Sequence, residues 1–453
     1  MTELATRVAP PHAPLLRRAA PALLGYAAVR ALGLLVLAVW SAARGKSAYT
    51  LLTARWDSLW YARVAEGGYG YEVRLPNGDV HSDLAFFPLL PWLERLLHAV
   101  APLSYADAGF VVSLLASLAA AAGIFAVAER VYGARAGVCA VLLWAVLPVG
   151  IVQSMAYSES LFTALAAWSL YAVLTGRWVT AGLLAALAGL TRPVGLAVVA
   201  AVWVTGVISF VRERSAPSAH GARDAEHALA AVSETPARRV RHANGAHDST
   251  RALPPGTGTS ATPPPSPPSP SLPSSPSAPA PASPPAASAA RRALGMALAP
   301  LGAAGYVLWV GHRTGKGPLG YLDVQAGWRN GFDGGYAFAR FVADKFTSFP
   351  SALAGLGLIV GVALLIRLYV TCVRQRQPLA LLVYTGVVLA LALCASSYFG
   401  SKPRLLLPAF PVLFPLARAL AHPRTARSAL VTAGVAAAAA AYGALWLNGS
   451  GPP

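Results

Sequence analysis

The chain has 453 residues, 56% of them hydrophobic and only 12% charged, with a formal net charge of +18. A soluble domain carries about 25% charged residues, so an ordinary soluble globular protein is excluded and an all-α, polytopic transmembrane bundle is expected. The Ala- and Leu-rich runs lack the period-2 alternation of outer-membrane strands. The cations flank apolar runs, where they set orientation and meet anionic lipid, and no RNA- or DNA-binding motif accompanies them, so membrane lipid is an expected partner and nucleic acid is not.

Taken in chain order, apolar runs near 19–43, 108–128, 136–152, 156–174, 178–191, 194–211, 293–311, 350–370, 378–397, 404–421 and 427–447 predict about eleven spans. The first run is longer than the roughly 7–15 apolar residues of a signal peptide and reads as an anchor. Directly after it comes "RWDSLWYARVAEGGYG" (55–70), dense in charge and aromatics. A helix over 56–66 puts Asp57, Trp60 and Tyr61 on one face. In that half-apolar setting Asp57 can serve as a general base; the alternative is that it pairs with Arg55 or caps a helix, and spacing does not choose between the two. "DLAFFPLLPWLERLL" (83–97) reads as an amphipathic helix kinked by its prolines and lying in the interface. It is either the wall of a groove for a lipid chain or a structural helix with no ligand.

Further along, "QSMAYSESLFTAL" (153–165) places Tyr157 and Glu159 at the start of a helix. Glu159 there suits the helix dipole and Ser158 a cap, or both belong to a site. "LTRPVGL" (190–196) sets Arg192 between two spans, with Pro193 fitting the first turn of the next helix. An arginine at bilayer depth costs about 2.5–3.5 kcal/mol and faces a partner or a ligand. Residues 213–290 are Pro/Ser/Ala-rich and read as a disordered cytoplasmic tether between an N-terminal membrane half (1–212) and a C-terminal one (291–453). "YFGSKPRLLLPAFP" (398–411) brings Lys402 and Arg404 to the end of another span, where they hold an anion or snorkel. Cys139, Cys372 and Cys394 form no C-x-x-C pair, so no disulfide framework and no metal site is indicated.

The positive-inside rule places the N-terminus, with Arg17 and Arg18, in the cytoplasm. Arg130, Arg135, Arg177, Arg367, Arg374, Arg376, Arg424 and Arg427 then fall inside, and the loops 44–107, 153–155, 192–193, 312–349 and 398–403 fall outside. This orientation requires 178–191 and 194–211 to be separate segments. On it, Asp57, Glu159, Arg192, Lys402 and Arg404 all reach the outer face. One base and several cations suit a phosphate-linked donor, the cations neutralising the leaving phosphate. The sequence has no Walker A loop and no G-x-G-x-x-G, and nucleotides are scarce outside the cytoplasm, so a lipid-phosphate sugar is the natural donor.

The stretches "RWDSLWYARVAEGGYGYE" (55–72), "AFFPLLPWLERL" (85–96), "AYSESLFTALAAWSLY" (156–171), "GLTRPVGL" (189–196) and "KPRLLLPAFP" (402–411), in this order, resemble the PIG-V-like mannosyltransferases. That family comprises GPI mannosyltransferase II and its bacterial relatives, within the GT-C glycosyltransferases. The resemblance implies a GT-C fold, a polyprenyl-phosphate mannose donor and Asp57 as the essential carboxylate, and it draws attention to Trp56, Glu159 and Arg192. The linker departs from the family pattern. The Ala/Arg/Pro-rich composition suits a GC-rich bacterium, hence a plasma-membrane enzyme with a glycan or glycolipid acceptor. The expectation is therefore an inverting mannosyltransferase needing neither metal nor cofactor. Arg192, Lys402 and Arg404 would hold the donor phosphate, and Trp56, Trp60, Tyr61, Tyr157 and Glu159 would line the substrate site. The rival readings are a lipid or sugar transporter or flippase, and a non-catalytic partner of another glycosyltransferase.

Overall fold

The computed structural model describes residues 14–215, 285–421 and 425–449. The chain divides into two units, Met1–Phe210 with Ala286–Pro453, and Val211–Pro285. Most of the second unit, and with it the tether expected over 213–290, lies outside the described residues; helix resumes at Pro285. The first unit is built from both sequence halves.

Helices dominate, beginning with α1 (Leu15–Ala43), α2 (Ala48–Thr53) and α3 (Asp57–Gly67). A hairpin of β1 (Glu72–Arg74) and β2 (Val80–Ser82) follows, pairing Glu72 with Ser82 and Arg74 with Val80. Its tip runs through Asn77 and Gly78, the glycine at φ 88°, where a left-handed backbone needs no Cβ. Next come α4 (Leu89–Val100), α5 (Tyr105–Tyr132), α6 (Ala134–Ala145), α7 (Ser158–Leu174), α8 (Trp178–Gly189) and α9 (Leu196–Ser215). A second two-stranded sheet pairs β3 (Gly331–Phe332) with β4 (Ala395–Ser396).

Six described helices are long and apolar enough to cross a membrane, seven if the bent pair Phe399–Leu405 and Phe410–Leu420 counts as one span. The chain is a multi-pass membrane protein. Four of the expected spans are shorter helices: α6, α7, α8 and Leu379–Cys394. The 12 residues of α6 or α8 reach about 18 Å, short of a hydrocarbon core of about 30 Å. The segments expected at 178–191 and 194–211 are separate helices, α8 and α9, with the Arg192 turn between them.

Alanine fills the core between α1, α5, α6, α7 and α8, with Ala120, Ala140, Ala166, Ala181 and Ala185 all at most 1% exposed. Small side chains let helix backbones approach closely, the main source of packing energy inside a bilayer. The two sequence halves join in this way. A Cβ on Gly302 would overlap the Ala186 carbonyl of α8, so no larger residue fits there.

The helix expected over 83–97 begins later than the pattern suggests. Asp83–Ala85 is a single 3-10 turn, Phe86 is extended, and α4 starts at Leu89 with Pro88 as its N-cap. The prolines therefore sit at the helix start, where a missing N–H leaves no bond unmade, and they produce no kink. Glu94 interrupts the apolar face of α4. It is 1% exposed, and a Cβ on Gly109 of α5 would overlap its carboxyl. Burial raises the Glu94 carboxyl well above its ordinary value.

Candidate active site

Two ends of the bundle can be told apart by their contacts. Arg18, near the start of α1, pairs with Glu129 near the end of α5 at 3.4 Å. Tyr49, beyond the end of α1, hydrogen-bonds Asp107 at the start of α5 at 2.6 Å. The second end also carries the start of α3, the start of α7 and the turn after α8, and there four charges from four distant parts of the sequence meet.

Asp57 opens α3. The residue before it, Trp56, has φ 54°, a left-handed conformation that costs a non-glycine residue about 1–3 kcal/mol. Three contacts hold it. The Arg55 guanidinium lies 4.0 Å over the Trp56 ring and donates to the Leu447 carbonyl at 3.3 Å, while Ser58 Oγ donates to the Arg55 carbonyl at 2.7 Å. Arg55 is thus engaged elsewhere, and the pairing considered between it and Asp57 is not formed. Asp57 Oδ2 instead lies 2.7 Å from Arg404 Nη2.

Arg404 sits in the four-residue helix Lys402–Leu405, before a 72° bend. Its Nε is 3.6 Å from Glu159 Oε1, and its guanidinium lies 5.1 Å over the Tyr157 ring. Glu159, in the first turn of α7, is 2.6 Å from Arg192 Nη1. Arg192 also donates to Ser158 Oγ at 3.2 Å, and Ser158 Oγ bonds the Tyr61 hydroxyl at 2.7 Å. Ser158 is therefore the first residue of α7 rather than its cap, and its hydroxyl links α3 to Arg192. The Arg192 turn is shaped by glycine: a Cβ on Gly195 would stand 2.6 Å from Gly189 Cα. The Leu190 carbonyl of this turn accepts from the Leu89 N–H at 3.0 Å, tying it to α4.

Exposure grades the four charges. The Glu159 side chain is 2% exposed, Arg404 9%, Arg192 14% and Asp57 20%. Asp57 is the carboxylate that solvent or a ligand reaches. Lys402 does not join the cluster. Its Nζ donates to the Ala392 and Ala395 carbonyls at 3.0 and 2.6 Å and lies near the Phe338 and Phe399 rings. Residues two apart on a helical turn point in different directions, so Lys402 and Arg404 part company.

Beside the charges stands an aromatic cluster. Trp60 stacks on Phe86 at 5.5 Å and meets Trp328 edge-on at 5.0 Å, and Tyr61 meets Phe86 edge-on at 5.2 Å. Trp328, which the sequence pattern did not single out, donates to the Ser82 carbonyl at 3.0 Å and stacks on His81 at 4.0 Å. Its one sequence cue is a tryptophan in the glycine-rich stretch "GWRNGFDGG". Asp83 holds the hairpin to this cluster by accepting the Gly70 and Tyr71 N–H groups at 2.9 and 2.8 Å. Burial raises the Asp83 carboxyl above its ordinary value, against these bonds, and lowers the His81 imidazole. Among the described residues no three His, Cys, Asp or Glu side chains converge as a metal site would require.

The fold and this cluster define a polytopic helical membrane protein with an arginine–carboxylate site at one end of its bundle. A family model described as dolichyl-phosphate-mannose-protein mannosyltransferase matches residues 83–222. That stretch includes Tyr157, Ser158, Glu159 and Arg192, but not Asp57 or Arg404. Among solved structures, a crystal structure of ArnT from Cupriavidus metallidurans bound to undecaprenyl phosphate is similar at 14% identity and a TM-score of 0.47. The alignment covers 90% of this chain and 61% of that one, so the chain spans less than two thirds of that protein's length. No curated protein matches the chain.

Proposed function

We propose that the chain is a GT-C glycosyltransferase of the PIG-V-like kind. It would move mannose from a polyprenyl-phosphate donor to a hydroxyl of a glycan or glycolipid acceptor, at the outer face of a bacterial plasma membrane. The observation that carries this reading is the four-charge network. Asp57, the most exposed carboxylate, stands 2.7 Å from Arg404, beside the pair of Glu159 and Arg192. The family match over residues 83–222 supports the same reaction class.

In this reading Asp57 takes the proton from the acceptor hydroxyl. The oxygen attacks the anomeric carbon, and the bond from that carbon to the phosphate oxygen breaks with inversion. Arg404 and Arg192 receive the phosphate charge as it develops, and preorganised donors in a dry site lower the barrier most at that point. Glu159 holds the two guanidinium groups in place. Trp60 and Trp56 bound the sugar site, and Tyr61 and Tyr157, both buried, back it from within the bundle. Lys402, bonded to two carbonyls, has no part in it. The site charges lie at helix ends, and the mid-helix Arg30 is bonded to the Ala145 and Gly150 carbonyls. That arrangement favours chemistry at one face over a transport route through the bilayer centre.

The test is purified protein in nanodiscs with labelled polyprenyl-phosphate mannose and a membrane extract as acceptor source. Wild type should label a glycan or glycolipid, and Asp57→Asn should lose about 10²–10⁴-fold in rate. Wild-type turnover by a folded Asp57→Asn variant would refute the role of Asp57.

A further inference from the structure

The arginine pair is already occupied by the protein's own carboxylates, and the two carboxylates are not equivalent. Glu159 is sealed in the first turn of α7 and reaches both guanidinium groups, at 2.6 Å and 3.6 Å. Asp57 is ten times as exposed and is ion-paired with Arg404 alone, at 2.7 Å. Two positive and two negative charges balance, so an incoming phosphate adds negative charge to a site with little water to screen it. The Arg404 guanidinium is also incompletely used. Its Nη1 is buried and has no hydrogen-bond partner among the described residues, although guanidinium presents five donors in a planar fork suited to phosphate.

We infer that Asp57 is a built-in occupant of an anion site: the prenyl-linked phosphate, a diester in the donor and a monoester in the product, displaces it from Arg404, while Glu159 stays as the fixed counter-ion. This rests on the glycosyl-transfer reading above and adds an order of events to it. While paired with Arg404, the Asp57 carboxylate is turned to the guanidinium and is not free to meet an acceptor hydroxyl. Once the phosphate takes over Arg404, the Asp57 carboxylate is released from its cation and is free to accept the acceptor hydroxyl's hydrogen bond. The donor thus arms the base. In the transfer step the acceptor proton moves to Asp57 and the acceptor oxygen bonds the anomeric carbon. The electron pair of the broken carbon–oxygen bond stays with the phosphate, which remains on Arg404. When Asp57 then loses its proton to water, its carboxylate competes again for Arg404 and drives off the prenyl phosphate product.

The test measures binding of farnesyl monophosphate and of inorganic phosphate to the full chain in nanodiscs. The proteins are wild type, Asp57→Asn, Asp57→Ala, Arg404→Gln and the double variant Asp57→Asn, Arg404→Gln. Asp57→Asn, though expected to be slow in transfer, should bind farnesyl phosphate about tenfold more tightly than wild type, a factor that corresponds to about 1.4 kcal/mol. Asp57→Ala should show the same gain, which guards against a fault peculiar to the amide. Arg404→Gln should bind about tenfold more weakly, and the double variant should show no gain over it. Equal or weaker binding by both Asp57 variants overturns the displacement. Inorganic phosphate binding as tightly as farnesyl phosphate overturns the lipid headgroup as the occupant. Farnesyl phosphate binding to none of the proteins, wild type included, overturns the donor reading itself and the displacement with it.

Discussion

Replacing Glu159 with Gln keeps the shape of the side chain and removes its charge. Glu159 is 2% exposed and touches both arginines, so the change leaves two largely buried cations facing one carboxylate, Asp57. Breaking a buried ion pair by removing one partner costs about 3–5 kcal/mol. Arg404 keeps Asp57 and Arg192 is 14% exposed, so the lower end, about 3 kcal/mol, is expected. Arg192→Met in the same background removes the orphaned cation and should recover about 1–3 kcal/mol. The assay is unfolding of wild type, both single variants and the double variant in one detergent, read as a double-mutant cycle. A Glu159→Gln variant as stable as wild type, or losses that simply add, would refute the claim that this buried pair holds the site together.

Glu94 predicts a pH dependence. Burial raises its carboxyl well above 4.5 in the folded chain, so the folded state binds that proton more tightly than the unfolded one. The contribution is complete below about 4.5 and is lost as pH rises through the folded value. Glu94→Gln should match wild type at acid pH and exceed it at pH 8; parallel stability profiles for the two proteins would show that the carboxyl is solvated. Trp328→Ala removes the stack on His81 and the edge contact with Trp60, and should lower stability by about 1–3 kcal/mol. In the transfer assay it should raise KM more than it lowers kcat, and an unchanged KM would separate Trp328 from the substrate site.

Much of the helical content is legible from local pattern. Apolar runs locate the helices because apolar length is a property of contiguous residues, and α3 starts within a residue of its expected position because Asp57, Trp60 and Tyr61 follow a helical period. The prolines of 83–97 are misread from sequence, since a proline ahead of a helix and a proline kinking one look alike until the start at Leu89 is seen. The short length of α6 is hidden for a related reason: the apolar run continues past the helix end at Ala145 into the buried turn Gly150–Ser154.

The charges divide along the same line. Sequence alone determines that Asp57, Glu159, Arg192 and Arg404 stand where helices begin or end, because caps, turns and apolar boundaries are short-range features. Only the tertiary structure decides that Asp57 meets Arg404 rather than its neighbour Arg55, that Glu159 is sealed between two arginines, and that Lys402 turns away to the Ala392 and Ala395 carbonyls. Those choices depend on which helix ends are brought within about 4 Å of one another, the reach of an ion pair, and nothing in a residue's immediate neighbours along the chain encodes that distance.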